Sequence, residues 1–181
     1  MTLPPNPLWD FAVRLYRRNE VAAACLTLQE RYAPEVDVDV NVILWCVWTA
    51  LGGHGELDEQ TLAGALAVVA DWRREVILPL RAARRRLLTE IKPVPLTMAE
   101  SLRQDIGHAE LEAERIELLV LAQIVPGRER SPPPATAVLA AQHNLTHYFE
   151  RLNLRPDAAD QANFTRILGE ALGRTPGPGP A

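Results

Sequence analysis

The stretch Val40-Asn41-Val42-Ile43-Leu44-Trp45-Cys46-Val47-Trp48-Thr49-Ala50-Leu51 decides the fold. Its length suits a helix better than a strand, and at 100° per residue it sends apolar side chains in every direction. A helix without a polar face must be surrounded, so the pattern predicts a central helix over about 39–51 with other helices packed around it. Gly52 and Gly53 follow where a C-terminal cap falls. Just upstream, Asp37, Asp39 and Asn41 have the spacing of the first ligands of a calcium loop. Val42 stands where that loop needs glycine, however, and Trp48 where it needs a bidentate glutamate. The acids serve better as a helix cap and dipole partners.

Outward from this centre, nearly every segment reads at helical period. Asn6 followed by Pro7 opens a first helix, the asparagine as N-cap and the proline where no amide hydrogen is needed. Leu8, Phe11, Ala12 and Leu15 then share one face. A second helix over about 20–32 buries Val21, Ala24, Cys25 and Leu28. From about 57 to 90 an apolar stripe runs through Leu62, Leu66, Val69, Trp72, Val76, Leu80, Ala83 and Leu87. Pro79 predicts a kink or break near 75–79. After the turn Lys92-Pro93-Val94-Pro95, a long helix over about 97–124 carries Leu102, Ile106, Ala109, Ala113, Ile116 and Val120 as its inward stripe.

Period-two alternation flanked by hairpin turns is nowhere sustained, and the fold class is all-α. The expected organisation is a helical bundle core over 1–124 and a Pro-rich linker over 125–134. A C-terminal helical pair over 135–172 and a disordered tail over 173–181 complete it.

A chain of 181 residues that is 48% hydrophobic can bury a core of its own. Its formal charge of −4 argues against a dedicated nucleic-acid binder. The start, Met-Thr-Leu-Pro-Pro-Asn-Pro, lacks the pattern of a secretory signal, and no apolar run is long enough to span a bilayer, so a cytoplasmic protein is expected, with no membrane attachment. Cys25 and Cys46 fall within apolar helical patterns and read as core residues.

The strongest local signal is charge. Arg73, Arg74, Arg81, Arg84, Arg85 and Arg86 crowd one helical stretch of an acidic chain, and the first five fall within roughly 120° of each other. The next helix, returned antiparallel by the proline turn, carries Glu110, Glu114 and Glu117 on one flank. The stripe is therefore either an internal ion-pair seam or a docking face for a protein partner, since guanidinium forks suit carboxylates and tolerate partial desolvation. Nucleic acid is a third reading, disfavoured because no aromatic residues are interleaved for base stacking.

Other chemistry is sparse. His143 and His147 share a helix face at i, i+4, but a zincin needs glutamate where Asn144 stands, and no third ligand is evident. Asp105, His108 and Glu112 give half of a dinuclear carboxylate motif without the second half. Gly-rich phosphate loops and nucleophile elbows are missing from the sequence, so no cofactor and no catalytic residue is assigned. Trp9, Trp45, Trp48 and Trp72 could converge as an aromatic core or line a pocket for a small apolar ligand.

Asn6-Pro7-Leu8-Trp9-x-Phe11 with Leu15-Tyr16, then Val21, Cys25-Leu26-x-Leu28-Gln29, and Asp39-Val40-Asn41 running into a tryptophan-bearing apolar helix, resembles an uncharacterised proteobacterial family of small helical proteins. Trp72-Arg73, Pro79-Leu80-Arg81 and Arg84-Arg85 extend the resemblance, which covers about residues 5–122. It implies an all-helical cytoplasmic protein and brings no catalytic residues with it.

The expected role is a non-catalytic interaction or adaptor protein docking through Arg73, Arg74, Arg81, Arg84 and Arg85. The alternative is a metal- or small apolar ligand-binding bundle, an enzyme included, using the tryptophans or His143 and His147. Ile77, Leu88, Leu118 and Leu121 are expected to be left over at the surface, where they would offer a homodimer contact.

Overall fold

In the computed structural model, which describes residues 4–125 and 133–173, the decisive stretch is a mostly buried helix with others packed around it. Helix α3 (Val40–Leu51) buries nine of its residues, from Asn41 through Val47 together with Thr49 and Ala50. Asp39 caps it, its carboxylate accepting the Asn41 N–H at 2.9 Å, and Gly53 at φ 91° takes the left-handed conformation that ends it.

Four helices surround α3. Helix α1 (Pro7–Tyr16) starts as its sequence dictates: the Asn6 side chain accepts the Trp9 N–H at 3.0 Å. The same side chain donates to the Arg115 carbonyl at 3.2 Å, tying α1 to α6 (Leu96–Ile124). Helix α2 (Asn19–Tyr32) and α7 (Pro134–Arg151) close the other sides, and α8 (Ala158–Ala171) packs outside α2. Residues from α1 to α8 form one hydrophobic core around Trp45, Tyr148, Phe149 and Phe164. The C-terminal pair thus lies on the bundle, α7 directly against α3. Its joint with α8 is fixed by a capping box between Asp157 and Asp160, by Arg31 ion-paired to both, and by the Tyr32 hydroxyl donating to Asp160 at 2.6 Å. Most of the linker and of the tail lies outside the described residues.

The kink expected near Pro79 takes a definite form. Helix α4 (Glu59–Trp72) runs into a π-helical turn (Arg73–Ile77) and then α5 (Leu78–Arg86), with Leu78 N–H bonded to the Arg73 carbonyl five residues back. Proline cannot donate at position 79, and the wider turn lets the helix continue past it. The turn also rolls Arg73 and Ile77 inward, so that both are buried.

Two expectations are corrected. Helix α6 does not bury the stripe through Leu102 and Ala109, which are exposed. It buries Ala99, Glu110, Ala113, Glu117, Leu118 and Leu121, because the carboxylates that periodicity places outside find partners on α5 and α3. For the same reason Leu118 and Leu121 belong to the interior, and Ile77 joins them because the π turn rolls it inward; of the four residues expected at the surface only Leu88, at 67% exposure, is there. Among the described residues there is no strand, and no helix is long and apolar enough to cross a membrane.

Candidate functional site

The arginines divide by where the helix sends them. Arg73, rolled inward by the π turn, reaches the acids ahead of α3: its Nε is 2.6 Å from Asp37 Oδ2 and its Nη1 2.9 Å from Asp39 Oδ2. Burial works against its charge, but the Asp39 and Asp37 carboxylates outweigh burial and hold its pKa above the ordinary value. Arg81 donates from Nε to Glu110 at 2.9 Å and from Nη2 to Glu114 at 2.7 Å, while Arg84 forks onto Glu110 at 2.5 and 3.2 Å. Burial would raise the Glu110 carboxyl, and Arg84 and Arg81 reverse it to a net lowering. At Glu114 burial prevails and the pKa is raised.

Arg74 turns outward and pairs only with its exposed neighbours Asp71 and Glu75. Arg85 is exposed and has no ion-pair partner among the described residues. The stripe is thus a seam at Arg81 and Arg84, an interior anchor at Arg73 and open guanidinium at Arg85.

Glu117, expected in the seam, faces inward instead. It is fully enclosed, accepts the Asn41 Nδ2–H at 2.5 Å, and lies beside Asp39. Burial first and the Asp39 charge second push its carboxyl up to about 8, which favours the neutral form near neutral pH. The backbone N–H of Asp39 in turn donates to the buried Tyr148 hydroxyl at 2.8 Å. One polar core therefore joins α3, the π turn, α6 and α7. Asn41, the amide in an otherwise apolar helix, is the residue whose sequence context could have signalled it.

Above this polar core opens a cleft of about 680 Å³, lined by α1, α2, α3, α5 and α6. Trp9, Tyr16 and Leu44 supply apolar wall, Gln29 and Asn41 supply amides, and Leu26 and Leu111, 42% and 47% exposed, stand at the mouth. Four guanidiniums, Arg17, Arg81, Arg84 and Arg85, meet three carboxylates, Asp39, Glu110 and Glu114, and Asp39 is already answered by Arg73 from beneath. Arg17, like Arg85, is exposed and has no ion-pair partner among the described residues. The surplus charge at this cleft is positive, and the arrangement can hold an anion against an aromatic wall.

The other sequence candidates are scattered. Of the four tryptophans Trp9 lines the cleft. Trp45 is enclosed in the core, Trp48 lies 5.9 Å from the His54 ring, and Trp72 donates its Nε1–H to the Ala113 carbonyl at 3.0 Å. His143 and His147 stand 5.7 Å apart, and His147 Nε2 meets Glu59 Oε2 at 2.8 Å. No group of three or more His, Cys, Asp or Glu side chains arranged to hold a metal occurs among the described residues. Arg17, Tyr16 and Gln29 were not among the site candidates of the sequence, because only the packing of α1 against α3 and α6, with α2 alongside, brings them to one place.

A family model described as a protein of unknown function, DUF2390, matches residues 7–121, and the chain belongs to that family. The matched span contains every residue that lines the cleft. No curated protein and no solved structure matches the chain.

Proposed function

We propose that this DUF2390 protein is a non-catalytic, cytoplasmic adaptor that docks a protein partner at the cleft between α1 and the α5–α6 pair. The observation that carries the reading is the pair Arg17 and Arg85, unpaired at the mouth beside half-exposed Leu26 and Leu111. Apolar surface next to unanswered guanidinium is the composition of a protein contact, where arginine tolerates desolvation and leucine gains from it. Of the five arginines expected to dock a partner, Arg85 keeps that role, joined by Arg17. Arg73, Arg81 and Arg84 are committed to carboxylates of the fold, which also leaves little free charge for nucleic acid.

A photo-crosslinking residue in place of Leu111, introduced in the native cell, tests this. A discrete adduct is expected that disappears in R17E/R85E and persists in R74E, whose arginine lies away from the cleft. Its survival in R17E/R85E, or the absence of any adduct, would refute the reading.

A second reading is supported by the cleft's volume, which lies in the range of small-molecule sites, roughly 300–1,000 Å³. It predicts a ligand retained through purification and visible by native mass spectrometry.

A further inference from the structure

The two amides of the cleft have their nitrogens spoken for. Gln29 Nε2 donates to the Val38 carbonyl at 3.0 Å, and Asn41 Nδ2 donates to Glu117 at 2.5 Å. A carboxamide is planar and its nitrogen and oxygen diverge, so each of these bonds turns the side-chain oxygen away from the acceptor that fixes it. Neither oxygen receives a hydrogen bond among the described residues, and both residues line the cleft. The cleft is therefore lined by two amides whose oxygens accept nothing within the described fold, Gln29 and the buried Asn41, by the cations Arg17 and Arg85, and by the apolar wall of Trp9 and Tyr16.

We propose that the cleft receives an extended acidic segment of the partner polypeptide. Its backbone N–H groups are accepted by Gln29 and Asn41, its carboxylates are met by Arg17 and Arg85, and an apolar side chain lies between Trp9 and Tyr16. This rests on the docking reading above and specifies the partner's chemistry. A helical segment fits less well, because its N–H groups beyond the first turn are consumed internally. An extended segment keeps them available and sends successive side chains to opposite sides. Alternation then presents acidic and apolar side chains in turn along a cleft that holds both arginines and aromatic wall. A fully polar acidic chain would leave the wall unfilled, and a small dicarboxylate would leave the amide oxygens unmet.

Fluorescence anisotropy on the full chain tests this with an acetylated, labelled heptapeptide of alternating Glu and Leu. Saturable binding is expected, weakened at least tenfold in R17E/R85E, at least fivefold by N-methylation of the central peptide bonds, and progressively by salt. The two exposed side chains make no hydrogen bond or ion pair among the described residues, so an unchanged circular dichroism melt of R17E/R85E accompanies the loss. Equal binding of the Lys–Leu peptide, of hepta-glutamate, of the N-methylated peptide or of N-acetylglutamate would overturn the proposal, as would no binding of the Glu–Leu peptide. Should the peptide fail while the adduct from position 111 still depends on Arg17 and Arg85, this inference falls and the docking reading stands. Loss of both removes both.

Discussion

Asn41, in the first turn of the most apolar helix of the chain, donates its side-chain N–H to Glu117, a carboxyl group with no exposed surface, at 2.5 Å. Burial and the neighbouring Asp39 charge favour the neutral form of the Glu117 carboxyl there. Glutamine supplies a neutral side chain of the same shape, its oxygen accepting from Asn41. E117Q is therefore expected to fold and to melt several degrees above the parent at pH 8.5, with little difference at pH 5. The scale is about 2–4 °C for each kcal/mol in a chain of this size. An E117Q melt below the parent at pH 8.5 would show that the carboxyl is not held neutral.

The same group sets a pH dependence whose sign is unusual for a carboxyl. Between the ordinary value of 4.5 and about 8, the unfolded chain ionises Glu117 while the folded chain keeps the proton, so the folded state binds more protons and stability falls as pH rises. Asp157 acts oppositely: Arg31 and the α8 N–H groups hold it at about 2, and its contribution is lost only as pH falls through the acid range. The melting temperature should therefore peak in mildly acidic solution and decline toward pH 8. In E117Q the decline should flatten. A parent profile rising from pH 5 to 8 would contradict the assignment.

The arginines should separate by burial of their partners. R73A leaves Asp39, buried at 4% exposure, facing the interior uncompensated, for a loss of about 3–5 kcal/mol. R81A strands Glu114 and half-strands Glu110, which Arg84 still holds, for about 1–3 kcal/mol. R74A removes only contacts to exposed neighbours and should leave the melt unchanged. Urea denaturation of the three variants gives the order directly, and an R74A loss as large as that of R81A would overturn this account.

That order explains what could be read from the sequence. Local chemistry was legible: Asn6 and Pro7 begin α1, Asp39 caps α3, and the all-round apolarity of Val40–Leu51 places it at the centre. The proximity of α5 and α6, and the arginine–glutamate seam between them, followed from a short proline turn and matched charges. The face of α6 was misread because amphipathic reasoning sends glutamate outward, whereas Glu110 and Glu117 are buried by partners 29 and 76 residues away in sequence. Arg73 needed the π turn to reach Asp37 and Asp39. The cleft needed five helices in place, and no local period encodes that.

Asn144 provides the last test, because it fixes the loop after α3 to α7. Fully enclosed, it accepts the Leu57 N–H at 2.7 Å and donates to the carbonyls of Cys46 at 3.3 Å and Gly55 at 3.2 Å. One side chain thus binds three backbone groups, of which the Leu57 N–H and the Gly55 carbonyl lie outside any helix while the Cys46 carbonyl belongs to α3. N144A leaves the two loop groups unmet and should cost about 2–4 kcal/mol. N144D retains the acceptor for Leu57 but turns a carboxylate toward two carbonyl oxygens, and should cost more at pH 7 than N144A and recover part of the difference at pH 4. Faster exchange of the Leu57 amide in both variants would locate the damage in this loop. Unchanged exchange with an unchanged melt would mean that α7 is held to α3 by packing alone.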